Sequence, residues 1–425
     1  MAEIAVIGAG YVGLTTGACL SRLGHDVTIA DIDISRVEAL QRGEIPFLEP
    51  QLSEIVNSGI RSNNLKFVIG AENACENAEF SFLCLPTPPN EDGSTDLSFF
   101  QIGVEEISDL LPPNAVLINK STVPVGTAAS IKNQLQRADV AVISNPEFLA
   151  EGNAVNDFLK PSRIVIGAEA PEDAARVAEL YAKLDTPILI TGWESAELIK
   201  HTANAFLAMK LTFVNEIATL CEKTGADIQD VTMGIGYDPR IGPSYLNPGP
   251  GWGGSCFPKD SSSLAHIARN VGFDFTLLEH TINLNKQHVE RTAAKIQDAL
   301  PQDIPTRKIA AWGLTFKAGT DDLRSSPAIA VLSHVINNKN TIFAYDPTVT
   351  NDIVQIPEVH VETDPYVCVE NADALVILTE WEDFKTLDMA KVAGKMRSLN
   401  LIDTRNLYQR EEMEQLGFRY YGMGV

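Results

Sequence analysis

The residues richest in chemical potential lie together at Gly253-Gly254-Ser255-Cys256-Phe257-Pro258-Lys259-Asp260. The two glycines free the backbone for close approach of a ligand. Pro258 suits the first turn of a helix, and the pattern predicts one running to about Arg269. Cys256 would then stand at a helix N-terminus beside Lys259, and both features favour the nucleophilic thiolate. Asp260 follows four residues on, close enough to act with it. Cys19, Cys75, Cys84, Cys221 and Cys368 lack such surroundings and read as small buried hydrophobes.

Other chemical groups are spaced with similar regularity. Lys200 and Asn204 are four residues apart in a helical stretch, hence on one face. A cation and an amide on an otherwise apolar helix suit stabilisation of a developing oxyanion; the plainer reading is a solvent-facing surface or a salt bridge. Asn145-Pro146-Glu147-Phe148-Leu149-Ala150-Glu151-Gly152 follows an apolar strand-like run and carries two carboxylates four apart. Ser121-Thr122-Val123-Pro124 also follows such a run, which makes Thr122 a candidate. In open α/β sheets the ends of strands are where sites form.

Near the N-terminus, Gly8-Ala9-Gly10-Tyr11-Val12-Gly13 is a G-x-G-x-x-G between a predicted strand and a predicted helix. Gly8 and Gly10 allow a tight turn and close approach to a pyrophosphate, Gly13 lets helix pack on sheet, and the helix N-terminus adds partial positive charge. Asp31 ends the next predicted strand, where a carboxylate accepts from ribose hydroxyls and repels a 2′-phosphate. That favours NAD over NADP, a preference that nearby Arg36 weakens slightly. The same motif serves FAD enzymes, and this segment by itself does not separate the two.

The elements that must position these groups follow from apolar patterning. Strands are predicted at Glu3–Ile7, Val27–Ala30, Phe80–Leu85, Ala115–Ile118, Val140–Ile143 and Ile164–Ile166, with a helix at Tyr11–Leu23. Alternating strands and helices imply a parallel sheet covered on both faces. Glu194 to Thr224 has no glycine or proline and is apolar nearly all round, so it predicts one helix of roughly 45 Å ended by Gly225. Such a helix must be buried between layers or subunits, and it is expected to be a central connector and a dimer interface. After a linker near Gln302–Thr306, strands recur at Lys308–Trp312, Thr341–Tyr345, Ala374–Leu378 and Leu399–Ile402, with a helix through Ala328–Ile336.

The chain of 425 residues is long enough for two or three domains. Its net charge of −23, with no dense Lys/Arg run, argues against nucleic acid or an anionic membrane as partner, but not against a small anionic substrate. Scattered cysteines without a CxxC pair argue against a disulfide framework and fit a reducing cytoplasm. The seven histidines form no ligand pattern, so no metal site is expected. No targeting segment, membrane span or repeat is visible.

Taken in order, GAGYVG, PFLEP (Pro46–Pro50), LPTPP, STVPVGT, NPEFLAEG, ELIKHTANAF, DPRIGPSYLNPGPGWGGSCFPKD, GLTFKAGTDDLRSSP and IDTRN resemble the nucleotide-sugar 6-dehydrogenases of the UDP-glucose/GDP-mannose dehydrogenase family. The resemblance covers essentially the whole chain. It implies an α/β fold: two Rossmann-like domains with parallel-rich sheets, joined by a long central helix and a helical middle domain. The expected division is 1–193 for NAD, 194–301 for dimerisation and the catalytic Cys, and 302–425 for the UDP-sugar. The implied reaction oxidises UDP-glucose twice at C6 through a thiohemiacetal and a thioester on Cys256, giving UDP-glucuronate and two NADH.

Carried over by position, Lys200 and Asn204 would stabilise the oxyanion and Asp260 would position water. Thr122, Glu147 and Glu151 would assist proton transfer and hydrolysis. Thr87, Glu151, Lys259 and Arg324 would line the NAD site. The UDP-sugar would lie along Phe148–Glu151, including Leu149, the loop from Tyr245 through Asn247 and Gly249 to Gly253, and Phe316 with Lys317. Arg405 would help, and Arg240 would reach across a homodimer interface. Bottom-up, Lys317, Arg405 and Arg240 supply the cations a diphosphate needs. The third domain opens with GLTFKAG rather than G-x-G-x-x-G, so it should hold its nucleotide differently.

Trp252 stands where many relatives have Phe, which is expected to change little beyond the shape of the sugar pocket. NPEFL argues against the N-acetylated branch, and Phe257 against the GDP-mannose branch, where Leu commonly follows the Cys. Two alternatives stay open: a dehydrogenase for another nucleotide sugar, and an NAD-binding regulatory protein without catalysis. Intact Cys256, Lys200, Asn204 and Asp260 weigh against the second.

Overall fold

The computed structural model describes all 425 residues, which form two compact units. The first comprises Met1–Ala203 and Ser262–Asp274, the second Asn204–Ser261 and Phe275–Val425.

The first unit is built on β1 (Glu3–Ile7), β2 (Asp26–Asp31), β3 (Leu65–Ile69), β4 (Phe80–Leu83), β5 (Val116–Asn119), β6 (Ala141–Ser144), β7 (Ile164–Ala168) and β8 (Ile188–Thr191). They form one eight-stranded sheet in the order β3-β2-β1-β4-β5-β6-β7-β8. Neighbours are parallel except β6 and β7, which run antiparallel. The strand period of two feeds two cores. Ile4, Val6, Val116 and Ile118 pack on one face, and Ala5, Ile7 and Leu117 on the other. Both faces are therefore covered, and near-continuous apolar runs result.

The second unit holds β9 (Arg307–Trp312), β10 (Asn340–Tyr345), β11 (Val359–Glu362), β12 (Ala374–Ile377), β13 (Asn400–Asp403) and β14 (Arg419–Gly422). Its six-stranded sheet runs β11-β10-β9-β12-β13-β14 and is parallel throughout. Ile309 and Ala311 face one core while Ala310 and Trp312 face the other. In each sheet the strand order reverses beside the first strand of the unit, at β1/β4 and at β9/β12, the kind of point where open α/β sheets form ligand sites at the strands' C-terminal ends.

Between the two sheets in chain order lie the helices Trp193–Thr224, Ile228–Gly236, Phe257–Asn270 and Thr276–Ala299. Trp193–Thr224 starts one residue before the expected Glu194 and stops at Gly225, whose φ of 76° is the left-handed conformation glycine adopts readily. Its flank is not buried all round: Phe206, Phe213 and Leu220 are 56%, 53% and 54% exposed. No helix is long and apolar enough to cross a membrane.

Candidate active site

In the first unit the turn Gly8–Gly13 sits at the β1/β4 reversal. Gly8 has φ 101°, and a side chain there would collide with the Cys84 carbonyl. One at Gly13 would collide with the Gly8 carbonyl. Gly10 differs, because a side chain there would meet no protein atom. A side chain there would project into open space in front of the turn. The helix Tyr11–Arg22 begins at Gly10 with no side-chain cap and no acidic residue in its first turn. Uncapped N–H groups at a helix start are the donors a pyrophosphate would take.

Asp31, buried at the end of β2, accepts from Ala9 N at 2.8 Å and Asp33 N at 2.9 Å, and pairs with Arg36 at 3.0 Å. The nearby cation a 2′-phosphate could pair with is thus tied to the carboxylate that repels it. Thr87, after β4, is half-buried. β5 ends in Asn119, followed by Lys120, Ser121 and half-buried Thr122.

Two residues of the long helix hold the Thr122 loop, and sequence reasoning gave neither a role. Glu197 accepts from Gly126 N at 2.6 Å and Ala128 N at 2.8 Å, and His201 Nε2 lies 2.9 Å from the Val123 carbonyl. Burial pushes the Glu197 carboxyl above its ordinary range, opposed by those N–H donors. The signal was present: Glu197 and His201 are at i and i+4, flanking Lys200.

Lys200 and Glu147 form a buried ion pair, 2.8 Å apart, with side chains only 4% and 6% exposed. The other Glu147 oxygen accepts from Leu149 N at 2.6 Å. Phe148 lies under both Lys200, at 5.5 Å, and Arg163, at 3.5 Å. Breaking a buried pair by removing one partner typically costs about 3–5 kcal/mol. Asn145, unnoticed in the sequence beyond its motif, accepts at Oδ1 from Lys120 Nζ at 3.0 Å and from Tyr181 at 2.7 Å. Glu151, later in the loop, is half-buried.

In the second unit Cys256 caps the helix Phe257–Asn270, its carbonyl accepting from Asp260 N at 2.8 Å. Pro258 is the second helical residue, as the missing N–H allows. Ser255 Oγ is 3.5 Å from the sulfur. No cysteine is in a disulfide; five are buried and Cys256 alone is partly exposed. Burial pushes the thiols of Cys19, Cys84 and Cys368 up to about 12, and that of Cys75 to about 11, which leaves them inert.

Asp260 is fully buried and held on two sides. Lys259 Nζ meets Oδ1 at 2.6 Å, and Asn204 Nδ2 donates to Oδ2 at 2.6 Å. Lys259 thus pairs with Asp260, one helical turn from Cys256. The chain Asn204–Asp260–Lys259 fixes a carboxylate one helical turn from the sulfur-bearing residue.

The glycine loop is packed against the expected substrate residues. A side chain on Gly249 would stand 2.7 Å from Arg405 Nη1, and one on Gly254 2.7 Å from the Phe316 ring. Gly253 has no room beside the Ser325 carbonyl. Gly249 N donates to Asn215 at 3.0 Å, and its carbonyl lies 2.7 Å from His288 Nε2. Burial lowers the His288 pKa, which keeps the ring neutral.

Trp252 is buried, its indole N–H donating to Thr212 at 2.8 Å, with its backbone clasped by Asn285. Its size supports the loop from behind. Tyr245, at φ 62°, is 6.3 Å from the Phe257 ring, and Asn247 is exposed. Lys317 is half-buried with Nζ 5.8 Å from the Phe316 ring centre. Arg405 pairs with Glu380 at 3.0 Å, and Asp403 anchors the turn behind it by accepting from Arg405 N at 3.1 Å and Tyr408 N at 2.9 Å. Arg240 and Arg324 point outward, each paired with the aspartate two residues before it.

Asp346 directly follows β10, close to where Asp31 stands at the end of β2. One oxygen accepts from Leu314 N at 2.8 Å, Thr315 N at 3.2 Å and Trp381 Nε1 at 3.1 Å. Asp346 thus braces the GLT turn much as Asp31 accepts from Ala9 N of the glycine turn, with Trp381 as an added donor. No group of three His, Cys, Asp or Glu side chains stands together in a way that could hold a metal ion.

Residues 2–185 match the NAD binding domain of the UDP-glucose/GDP-mannose dehydrogenase family, residues 194–287 its central domain and residues 310–410 its UDP binding domain. The chain is 42% identical to a UDP-glucose 6-dehydrogenase of Rhizobium meliloti (strain 1021), over 99% of each protein. It is 38% identical to one from Bacillus subtilis (strain 168), over 100% of this chain and 93% of that protein. Among solved structures, a UDP-glucose dehydrogenase from the hyperthermophilic archaeon Pyrobaculum islandicum superposes with a TM-score of 0.89 at 30% identity, covering 100% of this chain and 98% of that one.

Proposed function

The chain belongs to the UDP-glucose/GDP-mannose dehydrogenase family, and from that premise we propose that it oxidises UDP-glucose twice at C6 to UDP-glucuronate, reducing two NAD. The observation that carries this reading is Cys256 at a helix start, partly exposed, one turn from a buried carboxylate held by Lys259 and Asn204. A dehydrogenase that stopped at the aldehyde would have no use for a nucleophilic sulfur.

NAD, when bound along Gly8–Gly13 and Asp31, supplies the hydride acceptor for both oxidations. Val12, Arg36, Thr87, Thr122, Glu151, Lys259 and Arg324 complete its proposed surroundings. Cys256 Sγ adds to the C6 aldehyde, and the oxygen takes up a proton to give a thiohemiacetal. Loss of a hydride and a proton from that carbon's substituents leaves a thioester. Water then cleaves the C–S bond, releasing the carboxylate and restoring the thiol. Lys200 and Asn204 stabilise the oxyanions, and Glu147 exchanges a proton, a role its 2.8 Å pairing with Lys200 Nζ supports. Asp260 orients the water, with Thr122, Glu147 and Glu151 assisting.

In this reading residues 1–193 serve NAD, 194–301 carry Cys256 and the dimer contact, and 302–425 hold UDP. Phe148, Leu149, Tyr245, Asn247, Gly249, Gly253, Phe316, Lys317 and Arg405 take the UDP-sugar, and Arg240 reaches the partner's substrate in a homodimer. A cytoplasmic location suits a chain with no disulfide and a reactive thiol.

The test is a substrate panel read by NADH absorbance. Two NADH per UDP-glucose, with little turnover of GDP-mannose, is the expected result; one NADH per sugar would sink the double oxidation. In the same assay Cys256→Ala should lose the four-electron reaction by about a thousandfold or more while keeping NAD affinity. Near-normal turnover in that variant would remove Cys256 as nucleophile.

A further inference from the structure

The PFLEP segment has no part in the chemistry above, yet its carboxylate is one of the most enclosed in the first unit. Glu49 is 7% exposed. One of its oxygens, Oε2, accepts from the Tyr11 hydroxyl and from Gly152 N at 2.8 Å. Gly152 N also reaches the Tyr11 oxygen at 3.1 Å, so the three groups close a triangle. The other oxygen, Oε1, accepts from Val155 N at 3.3 Å, in the first turn of the helix Ala154–Leu159. Phe47, two residues before Glu49, packs its ring 4.8 Å from that of Tyr11.

Tyr11 is the first helical residue after the glycine turn, and Gly152 closes the loop that carries Glu147 and Glu151. The two segments are 141 residues apart in the chain. We propose that Glu49 is a positioning residue that locks the dinucleotide turn to the acidic loop, so that occupation of the turn sets the placement of Glu147 and Glu151. The inference rests on the assignment of NAD to Gly8–Gly13.

Three features support a coupling role over a generic buried contact. The hydrogen bonds converge on one oxygen, so moving Tyr11 disturbs Gly152 directly. Burial, then the bond to Glu49, push the Tyr11 phenol well above its ordinary range, so it remains a donor at every working pH. Finally, the loop is clamped along its length: Leu149 N donates to Glu147, Ala150 N to Asp157 and Gly152 N to Glu49. A loop held by three carboxylates moves as one piece with the clamp that shifts.

Tyr11→Phe, Glu49→Gln and the double variant test the proposal. Three readouts are used: NAD affinity by calorimetry, NAD-induced protection of the Gly152 and Val155 amides by hydrogen exchange, and kcat with UDP-glucose. Each single variant is expected to weaken NAD binding about tenfold and to lose the NAD-induced protection. Each should also lower kcat about tenfold with KM for UDP-glucose within about twofold. The double variant should be no worse than either single, because all three perturb one triangle.

Folded variants with wild-type NAD affinity and wild-type protection would overturn the proposal, as would effects that simply add. Tyr11→Phe keeps the carboxylate and its two backbone donors, so it carries the test if Glu49→Gln does not fold. Wild-type turnover of UDP-glucose, measured alongside, tests the proposed activity separately, since binding and exchange need no turnover.

Discussion

Lys120 is sealed inside the first unit with an amide, not a carboxylate, as its hydrogen-bond partner. Burial lowers its pKa from 10.5 to about 8, against the pull of nearby Cys84 and Glu147. At pH 7 the folded protein therefore carries a charge it disfavours. Below about 8 both folded and unfolded chains are protonated and the full cost stands. Between about 8 and 10.5 the unfolded chain still binds the proton and the folded one does not, so stability rises with pH. Lys120→Met should remove this dependence. The stability of the wild type relative to that variant should climb by about 2–3 kcal/mol from pH 7 to pH 10 in denaturant titrations. A flat difference would show that the ammonium is solvated. Tyr181 still donates to Asn145 in the variant, so that acceptor is not orphaned.

The glycine turn shows how one motif divides its duties. Gly13 is required by the fold, because a side chain there meets the Gly8 carbonyl; a side chain at Gly10 meets no protein atom, and in the proposed function it would meet NAD. Gly10→Ala should melt within about a degree or two of the wild type yet bind NAD at least about tenfold more weakly. Gly13→Ala should lower the melting temperature by several degrees, on the order of a steric clash in a packed core. Equal melting temperatures for the two variants would contradict this division.

The elements also explain what patterning found. Every strand expected from an apolar run is present and lies inside a sheet. The strands not anticipated, β3, β8, β11 and β14, are all sheet edges. An edge strand is covered on fewer sides, so polar residues such as Lys66, His360 and Arg419 interrupt the run. β8 is apolar but largely exposed along its edge.

At the scale of the whole molecule, an apolar stripe marks the helical middle. Phe206, Phe213 and Leu220 recur every seven residues on one helix face, and Met233, Tyr237 and Ile241 are 54%, 78% and 43% exposed in the next segment. In the proposed function a second copy of the chain covers this patch. Analytical ultracentrifugation should find twice the chain mass for the wild type. Phe206→Glu with Phe213→Glu should shift it toward the monomer and weaken self-association at least tenfold. A wild type that sediments as a monomer would refute the homodimer.

What the sequence determined by itself was local. A glycine turn between strand and helix, an acid closing the next strand and a cysteine ahead of a helix-starting proline each depend on residues a few positions apart, and backbone sterics make such patterns legible. Tertiary structure decided the pairings. Asp260 meets Asn204 across 56 residues, and Glu49 meets Gly152 across 103. It also decided that Asp346, directly after β10, takes donors from both the GLT turn and Trp381. Nothing in a linear pattern states which lone pair a buried carboxylate will fill. That choice is made by whichever donors the packed chain leaves without water, and each must be met or the fold bears its cost.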